Sequence, residues 1–299
     1  MVIAAELGLL YAVMAVGVYL TYRVLDFPDL TIDGSFTTGG AVTAVLIISD
    51  VPLAVAITAG ALSGVVAGII TGLLHVLGNI NPLLAGILTQ IALYSINLRI
   101  MGKSNLPLLR ESTLMTPLRE AGLLGTWAGV VIFAVGAAIV GVVLYWFLGT
   151  AFGVSLRATG DNELMARSQG INTGVTKIAG LAISNGLVAL CGALIAQYQG
   201  YADISMGIGL IVAGLASVII GQALLGMTAV WQAVLAAIVG SVIYRGVIQL
   251  ALDAGLEPND MKLVSALLVI VALVVPQIPY FKKLRARMRR SRTAEAGAS

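Results

Sequence analysis

The chain carries few groups able to make or break a covalent bond. Its 14 Asp and Glu, one histidine and one cysteine are scattered through 299 residues. His75 has no second His or Cys nearby, so no metal-ligand set is expected. Gly102-Lys103-Ser104 ends like a phosphate-binding loop, but Asn97 stands where that motif needs a further glycine, and no soluble strand precedes it. Gly207-Ile208-Gly209 lacks the third glycine of a dinucleotide loop. No Ser/His/Asp set is visible. The expectation is a chain that is not an enzyme, binds no cofactor of its own and hydrolyses no ATP.

What remains is polar chemistry suited to contact and passage. The stretch from Arg157 to Asn172 is a polar island between long apolar runs, with Arg157, Asp161, Asn162, Glu163 and Arg167. It reads as one short amphipathic helix. Gly160-Asp161-Asn162 is a start signal in which Asp161 or Asn162 caps free N–H groups, and Gly170 ends the turn. Leu164, Met165 and Ser168 form its semi-apolar face. Such a helix, hung between membrane spans, offers a surface for another protein to push.

A second stretch, Phe27 to Gly40, enters an apolar run with Asp29, Asp33, Ser35, Thr37 and Thr38. Buried carboxylates are costly in lipid and are tolerated where a helix breaks beside protein or water. Asp29, after Pro28, reads as a helix cap. Asp33 is either a buried pair or a functional group; the hydroxyls either line a pathway or back-bond to their own helix. A third stretch, Asn81 to Arg99, places Gln90, Tyr94 and Asn97 on one helical face, which meets water or another helix. Gln197, Tyr198, Gln199 and Tyr201 suit an interfacial belt, and Arg245 is expected to snorkel to the outer surface.

The elements that carry these residues follow from composition. The chain is 59% hydrophobic and 10% charged, with mean hydropathy +1.01. A soluble domain holds about 25% charged residues. Apolar runs long enough to cross a bilayer as helices recur, without the alternation of a β-barrel. The expected fold is an all-α polytopic membrane protein of about nine spans, near 3–22, 29–49, 52–74, 81–100, 126–148, 174–197, 204–224, 228–250 and 261–280. Gly60, Gly64, Gly68 and Gly72 form one stripe for close helix packing. Cys191 reads as a small packed residue. Glu6 interrupts the first run and no basic residue precedes it, so no cleavable signal is expected.

Seven of the 17 Lys and Arg lie in 282–292. Directly after a final span, such a run reads as a cytoplasmic anchor near lipid, not as a nucleic-acid site. Four spans separate this tail from the 149–173 loop, so both face the cytoplasm, and the N-terminus and the 250–260 loop face outward. The 101–125 loop then lies outside despite Lys103, Arg110 and Arg119. A shift of 174 residues lays Asp29-Leu30-Thr31-Ile32 on Asp203-Ile204-Ser205-Met206 and pairs Gly40 with Gly214. Five spans separate the copies, so they face opposite ways, as in inverted-repeat transporters. The expected division is a membrane domain over 1–281, with repeats near 1–125 and 174–281 about the 149–173 loop, and a basic tail over 282–299. Residues 291–299 are expected to be disordered.

The opening Leu7 to Gly17, then Asp29-Leu30-Thr31-Ile32-Asp33-Gly34-Ser35 and Gly39-Gly40, resemble permease subunits of bacterial ABC importers. The branch is the one shared with branched-chain amino acid and ribose permeases. Asn81 to Leu88 and Leu93 to Gly102 are similar to its tryptophan/tyrosine-type members. Arg157 to Arg167 with Gly170-Ile171-Asn172 is similar to the family's cytoplasmic loop that contacts the ATPase. The resemblance covers the chain to about residue 280. It implies an ATPase-coupling set of Arg157, Thr159, Gly160, Asp161, Asn162, Glu163, Met165, Ala166, Arg167 and Gly170. The path-lining expectation is Asp33, Ser35, Thr37, Thr38, Gln90, Tyr94 and Asn97. It further implies a homodimer or pseudo-dimer in a bacterial cytoplasmic membrane, two separate subunits holding ATP and Mg, and an extracytoplasmic binding protein or lipoprotein that delivers a small solute, an amino acid in that subgroup. An ion-gradient-driven transporter or channel is the other reading the residues allow.

Overall fold

The computed structural model describes residues 1–226, 229–256 and 260–274. The basic tail, the end of the last expected span and Glu257 lie outside the described residues. The order is α1 (Val2–Tyr19, continued by a π-helical turn Leu20–Val24), α2 (Thr31–Ile48), α3 (Leu53–Val76), α4 (Pro82–Met101), β1 (Asn105–Pro107), α5 (Thr116–Glu120), α6 (Trp127–Gly149), α7 (Ala151–Asp161), α8 (Glu163–Ser168), α9 (Thr173–Gln199), β2 (Tyr201–Asp203), α10 (Leu210–Leu225), α11 (Val230–Asp253) and α12 (Met261–Val274). Seven of these helices are long and apolar enough to cross a membrane: α1 with its π-helical turn, α2, α3, α4, α6, α9 and α11. The chain is therefore an all-α polytopic membrane protein.

The seventh expected span, 204–224, is corrected at its start. Its helix α10 begins only at Leu210 and has 16 residues. Residues 204–209 form successive turns instead. Gly209, at φ +83, adopts a left-handed conformation that does not continue a helix, and Gly207 lies so close to α2 that a Cβ would land on the carbonyl oxygen of Asp33.

Helix α9 is the centre of the bundle, packed by α1, α2 and α3. The glycine stripe explains how α3 approaches it. A Cβ at Gly64 would strike Asn185 and Ala189, one at Gly68 would strike the Leu181 carbonyl, and one at Gly72 would lie 2.8 Å from Ile178 Cα. Gly60 meets Thr43 of α2 instead. Without a hydrophobic driving force between helices in lipid, such close packing supplies much of their attraction. Gly68→Val is expected to lower thermal stability in detergent by about 1–3 kcal/mol or more, the scale of overpacking. A melting temperature equal to that of the parent chain would contradict this packing.

The 174-residue shift lays α1–α4 on α9–α12, and the packing follows it. Helix α1 packs on α11 as α9 packs on α3, and α10 packs on α11 as α2 packs on α3. The same turn stands before each second helix: Thr31 N–H donates to Asp29 Oδ1 at 2.9 Å, and Ser205 N–H donates to Asp203 Oδ1 at 2.8 Å. Positions 33 and 207, related by that shift, meet each other.

One end of the bundle gathers Val24, His75, α7, α8 and the start of α9. The other holds the N-terminus, the β1–β2 pair and the 101–125 loop. Glu6, fully buried, ties this second end together: Gly125 N–H donates to Oε1 at 2.9 Å and Tyr198 Oη–H to Oε2 at 2.8 Å. Leu114 N–H donates to Gln197 Oε1 at 2.9 Å. These bonds hold the 101–125 loop at the N-terminal end.

Candidate functional site

The polar island is two helices, not one. Three side-chain caps divide it. Thr150 Oγ1 accepts from Gly153 N–H at 3.2 Å and starts α7; Asn162 Oδ1 accepts from Met165 N–H at 3.0 Å and starts α8; Asn172 Oδ1 accepts from Val175 N–H at 3.2 Å and starts α9. Asn162 itself is extended, at φ −159 and ψ 100, and starts α8 where the 160–162 signal places a helix start, while residues 157–161 belong to the end of α7. Asp161 is the exposed last residue of α7, so the cap falls to Asn162. Gly170, at φ +84, turns the chain out of α8.

The inner side of this elbow is fastened to the bundle. Gly160 sits on the Val24 carbonyl at the end of α1. Thr159, buried, lies 2.9 Å from Thr176 of α9, hydroxyl to hydroxyl. Ala166 is buried as well. Glu163 is clamped on both carboxylate oxygens: Arg167 Nη2 donates to Oε1 at 2.7 Å and Lys177 Nζ donates to Oε2 at 2.7 Å. Thr173 Oγ1 donates to Oε1 at 3.2 Å and accepts from Arg167 Nε at 2.7 Å. Lys177 continues to His75 Nε2 at 3.4 Å, on α3. If Lys177 donates there, Nε2 is the unprotonated nitrogen and Nδ1–H faces the Ile80 carbonyl, 2.8 Å away.

The outer side is bare. Leu164 is 80% exposed and Met165 60%. Two apolar side chains therefore stand out from a helix whose Glu163 is held against α9. Arg157 turns elsewhere, toward a cavity between α6, α7 and α11.

Lys177's hydrogen bond, above all, holds the Glu163 carboxyl below its ordinary value of 4.5, against the opposing effect of partial burial. A carboxyl lowered in the folded state stabilises fully above its unfolded value and loses that contribution as pH falls through the lower folded value. Acidification below 4.5 is thus expected to release α8 from α9. Protection of the α8 amides, taken relative to their slower intrinsic exchange in acid, should fall there. Glu163→Gln should exchange faster already at neutral pH, without the acid step; equal protection in both chains would contradict the clamp.

The second polar group lies deep in the bundle. Asp29 Oδ2 accepts from Asn185 Nδ2 at 2.7 Å, and Asn185 Oδ1 accepts from Ser35 Oγ–H at 2.7 Å. Thr31, Thr71 and Thr89 form a hydroxyl chain across α2, α3 and α4, with oxygens 2.7 and 3.0 Å apart. Asp33 caps α10 from α2: Gly209 N–H donates to Oδ2 and Ile211 N–H to Oδ1, both at 2.8 Å. These are helix-start donors that no intrahelical carbonyl can satisfy. Thr37 and Thr38 donate to the Asp33 and Gly34 carbonyls of their own helix at 3.2 and 2.8 Å. Asn97 is buried against the Gly34 carbonyl, Tyr94 is exposed and Gln90 is half-buried, so the α4 set divides between an inner and an outer face. Arg245 lies over the Tyr11 ring at 3.6 Å. Cys191 is buried and free.

Asn185 and Lys177 are organising residues that sequence reading did not single out, and Glu6, read there only as an interruption of the first run, is a third. Asn185 had a signal, being the one amide in the apolar run between Lys177 and Gln197. Among the described residues no three His, Cys, Asp or Glu side chains converge on a metal position.

A bundle of apolar helices, cut by buried polar turns and carrying a clamped polar elbow at one end, is the build of a membrane transport permease. The chain belongs to the family of permease components of branched-chain amino acid transport systems, whose model matches residues 1–274. It is 42% identical to the tyrosine transport system permease protein of Clostridioides difficile (strain R20291), over 94% of this chain and 93% of that one. An uncharacterized protein of Rickettsia prowazekii is 32% identical over 91% of this chain and 96% of its own length. The galactofuranose transporter permease protein YtfT of Escherichia coli is 24% identical over 94% and 81%. No solved structure matches the chain.

Proposed function

We propose that the chain is the membrane subunit of an ATP-driven importer of an aromatic amino acid. It works as a homodimer in a bacterial cytoplasmic membrane, with its N-terminus outside and its basic tail in the cytoplasm. Two separate subunits hold ATP and Mg, and an extracytoplasmic protein delivers the substrate. The observation that carries this reading is the elbow of α7 and α8, which exposes Leu164 and Met165 while four polar side chains clamp its inner side.

The geometry supports a mechanical route. A push on α8 passes through Glu163 and Lys177 to α9 and on to His75 of α3. A push on α7 passes through Gly160 to the end of α1, next to the turn that holds Asp29. Asp29 leads through Asn185 and Ser35 into α2, whose Asp33 holds the start of α10. The elbow thereby reaches elements of both halves, which rock as inverted repeats. The path borders these polar elements, with Gln90 and Tyr94 of α4 on its less buried side. The 42% identity to a tyrosine permease supports an aromatic substrate.

A binding screen of the cognate extracytoplasmic receptor tests the substrate. Preference for tyrosine or tryptophan over sugars and nucleosides is expected. A receptor selective for a sugar or nucleoside would overturn the assignment.

A further inference from the structure

A cavity of about 620 Å³ opens between the last turn of α6, the first turns of α7 and the start of α11. Its lining includes Tyr145, Trp146, Thr150, Arg157, Val230 and Trp231, and no acidic side chain. Trp146, Trp231 and Tyr145 are 71, 50 and 49% exposed. Large aromatics with one polar atom favour the boundary between hydrocarbon and headgroups, so these three mark that level. Arg157 stands among them. Its Nε is buried without a hydrogen-bond partner, and the guanidinium forms no ion pair among the described residues.

A guanidinium held at this level without an anion is an incomplete site. Its planar donors match a phosphate, and a buried donor left unmade is costly. Above the cavity, α6 turns Val135, Ile139, Val142 and Val143 outward. An occupant with an anionic phosphate and apolar chains fits both parts at once. A free phosphate ion would satisfy Arg157 and leave the aromatic walls and the apolar face of α6 unused.

We propose that this cavity binds the headgroup phosphate of an anionic phospholipid, with its acyl chains along α6. Arg157 is the phosphate ligand, and Trp146 and Trp231 flank the headgroup. The lipid wedges the hinge between α6 and α7 and fixes the angle at which the elbow leaves the membrane. The proposal needs only that the chain is membrane-embedded, so it can fail while the importer reading stands, and the reverse.

Native mass spectrometry of the full-length chain, released from detergent with added lipid, tests it. Phosphatidylglycerol should be retained over phosphatidylcholine by about fivefold, the scale of one basic residue facing an anionic headgroup. Arg157→Gln should abolish that preference, Arg157→Lys should restore part of it, and inorganic phosphate should not displace the lipid. The control Arg99→Gln, on the exposed face of α4, should leave it intact. Equal retention of the two lipids by the parent chain would overturn the proposal without recourse to a variant. An undiminished preference in folded Arg157→Gln, or displacement by inorganic phosphate, would overturn it as well.

Discussion

Replacing Leu164 and Met165 together by Asp should reduce ATP-driven uptake by more than about tenfold while the permease still folds. Both side chains stand in solvent, 80 and 60% exposed, so their loss removes no core packing. At a docking surface, a buried apolar anchor contributes about 2 kcal/mol or more, roughly thirtyfold in affinity. Two carboxylates on that surface also carry a desolvation cost into the contact. Copurification of the ATP-binding subunit should fall in step with uptake, and the melting temperature should not change. The clamp residues give a contrasting pattern: Glu163→Gln loosens α8 itself, so its effect should appear in hydrogen exchange even without the partner. Undiminished copurification and uptake in the double variant would remove α8 as the coupling contact.

Asp33→Leu should loosen the start of α10 from α2. It removes the acceptor for two part-buried N–H groups, those of Gly209 and Ile211. A hydrogen bond contributes about 0.5–1.5 kcal/mol net, so the variant should lose about 1–3 kcal/mol. Asp33→Asn keeps one acceptor oxygen and should lose about half as much. The amides of Gly209 and Ile211 should exchange faster in Asp33→Leu than in the parent chain, because these two donate to the Asp33 carboxylate. Thermal melting in detergent with hydrogen exchange reads both effects. Parent-like stability and protection in Asp33→Leu would mean that the carboxylate does not hold α10.

The helices were legible because each apolar run is long enough to declare itself, and the glycine stripe of α3 marked its close-packed side. Asp29 and Asp203, which the 174-residue shift pairs, build the same local turn. What stayed hidden depends on distant pairing. Asp33 and its partner Gly209 are 176 residues apart, so nothing local separates a cap from a pathway group. Glu163 and Arg167 looked like a charged contact surface, yet each is engaged with its own chain, and Lys177 fourteen residues on supplies the missing half of the clamp. The helix start at 160–162 was legible, but which residue caps it was not, because Asp161 and Asn162 are equally good caps by residue type. Apolar periodicity could not show that 204–209 is unwound, since turns of Ile, Met and Gly resemble the start of a span.

The most direct test of the central claim is uptake of labelled tyrosine into vesicles that hold this chain with its ATP-binding subunits, with the receptor supplied on the outer side. Uptake should require hydrolysable ATP inside the vesicles and should persist after ionophores collapse the proton and sodium gradients. Uptake that proceeds without ATP and stops when those gradients are collapsed would contradict the account and favour an ion-driven transporter.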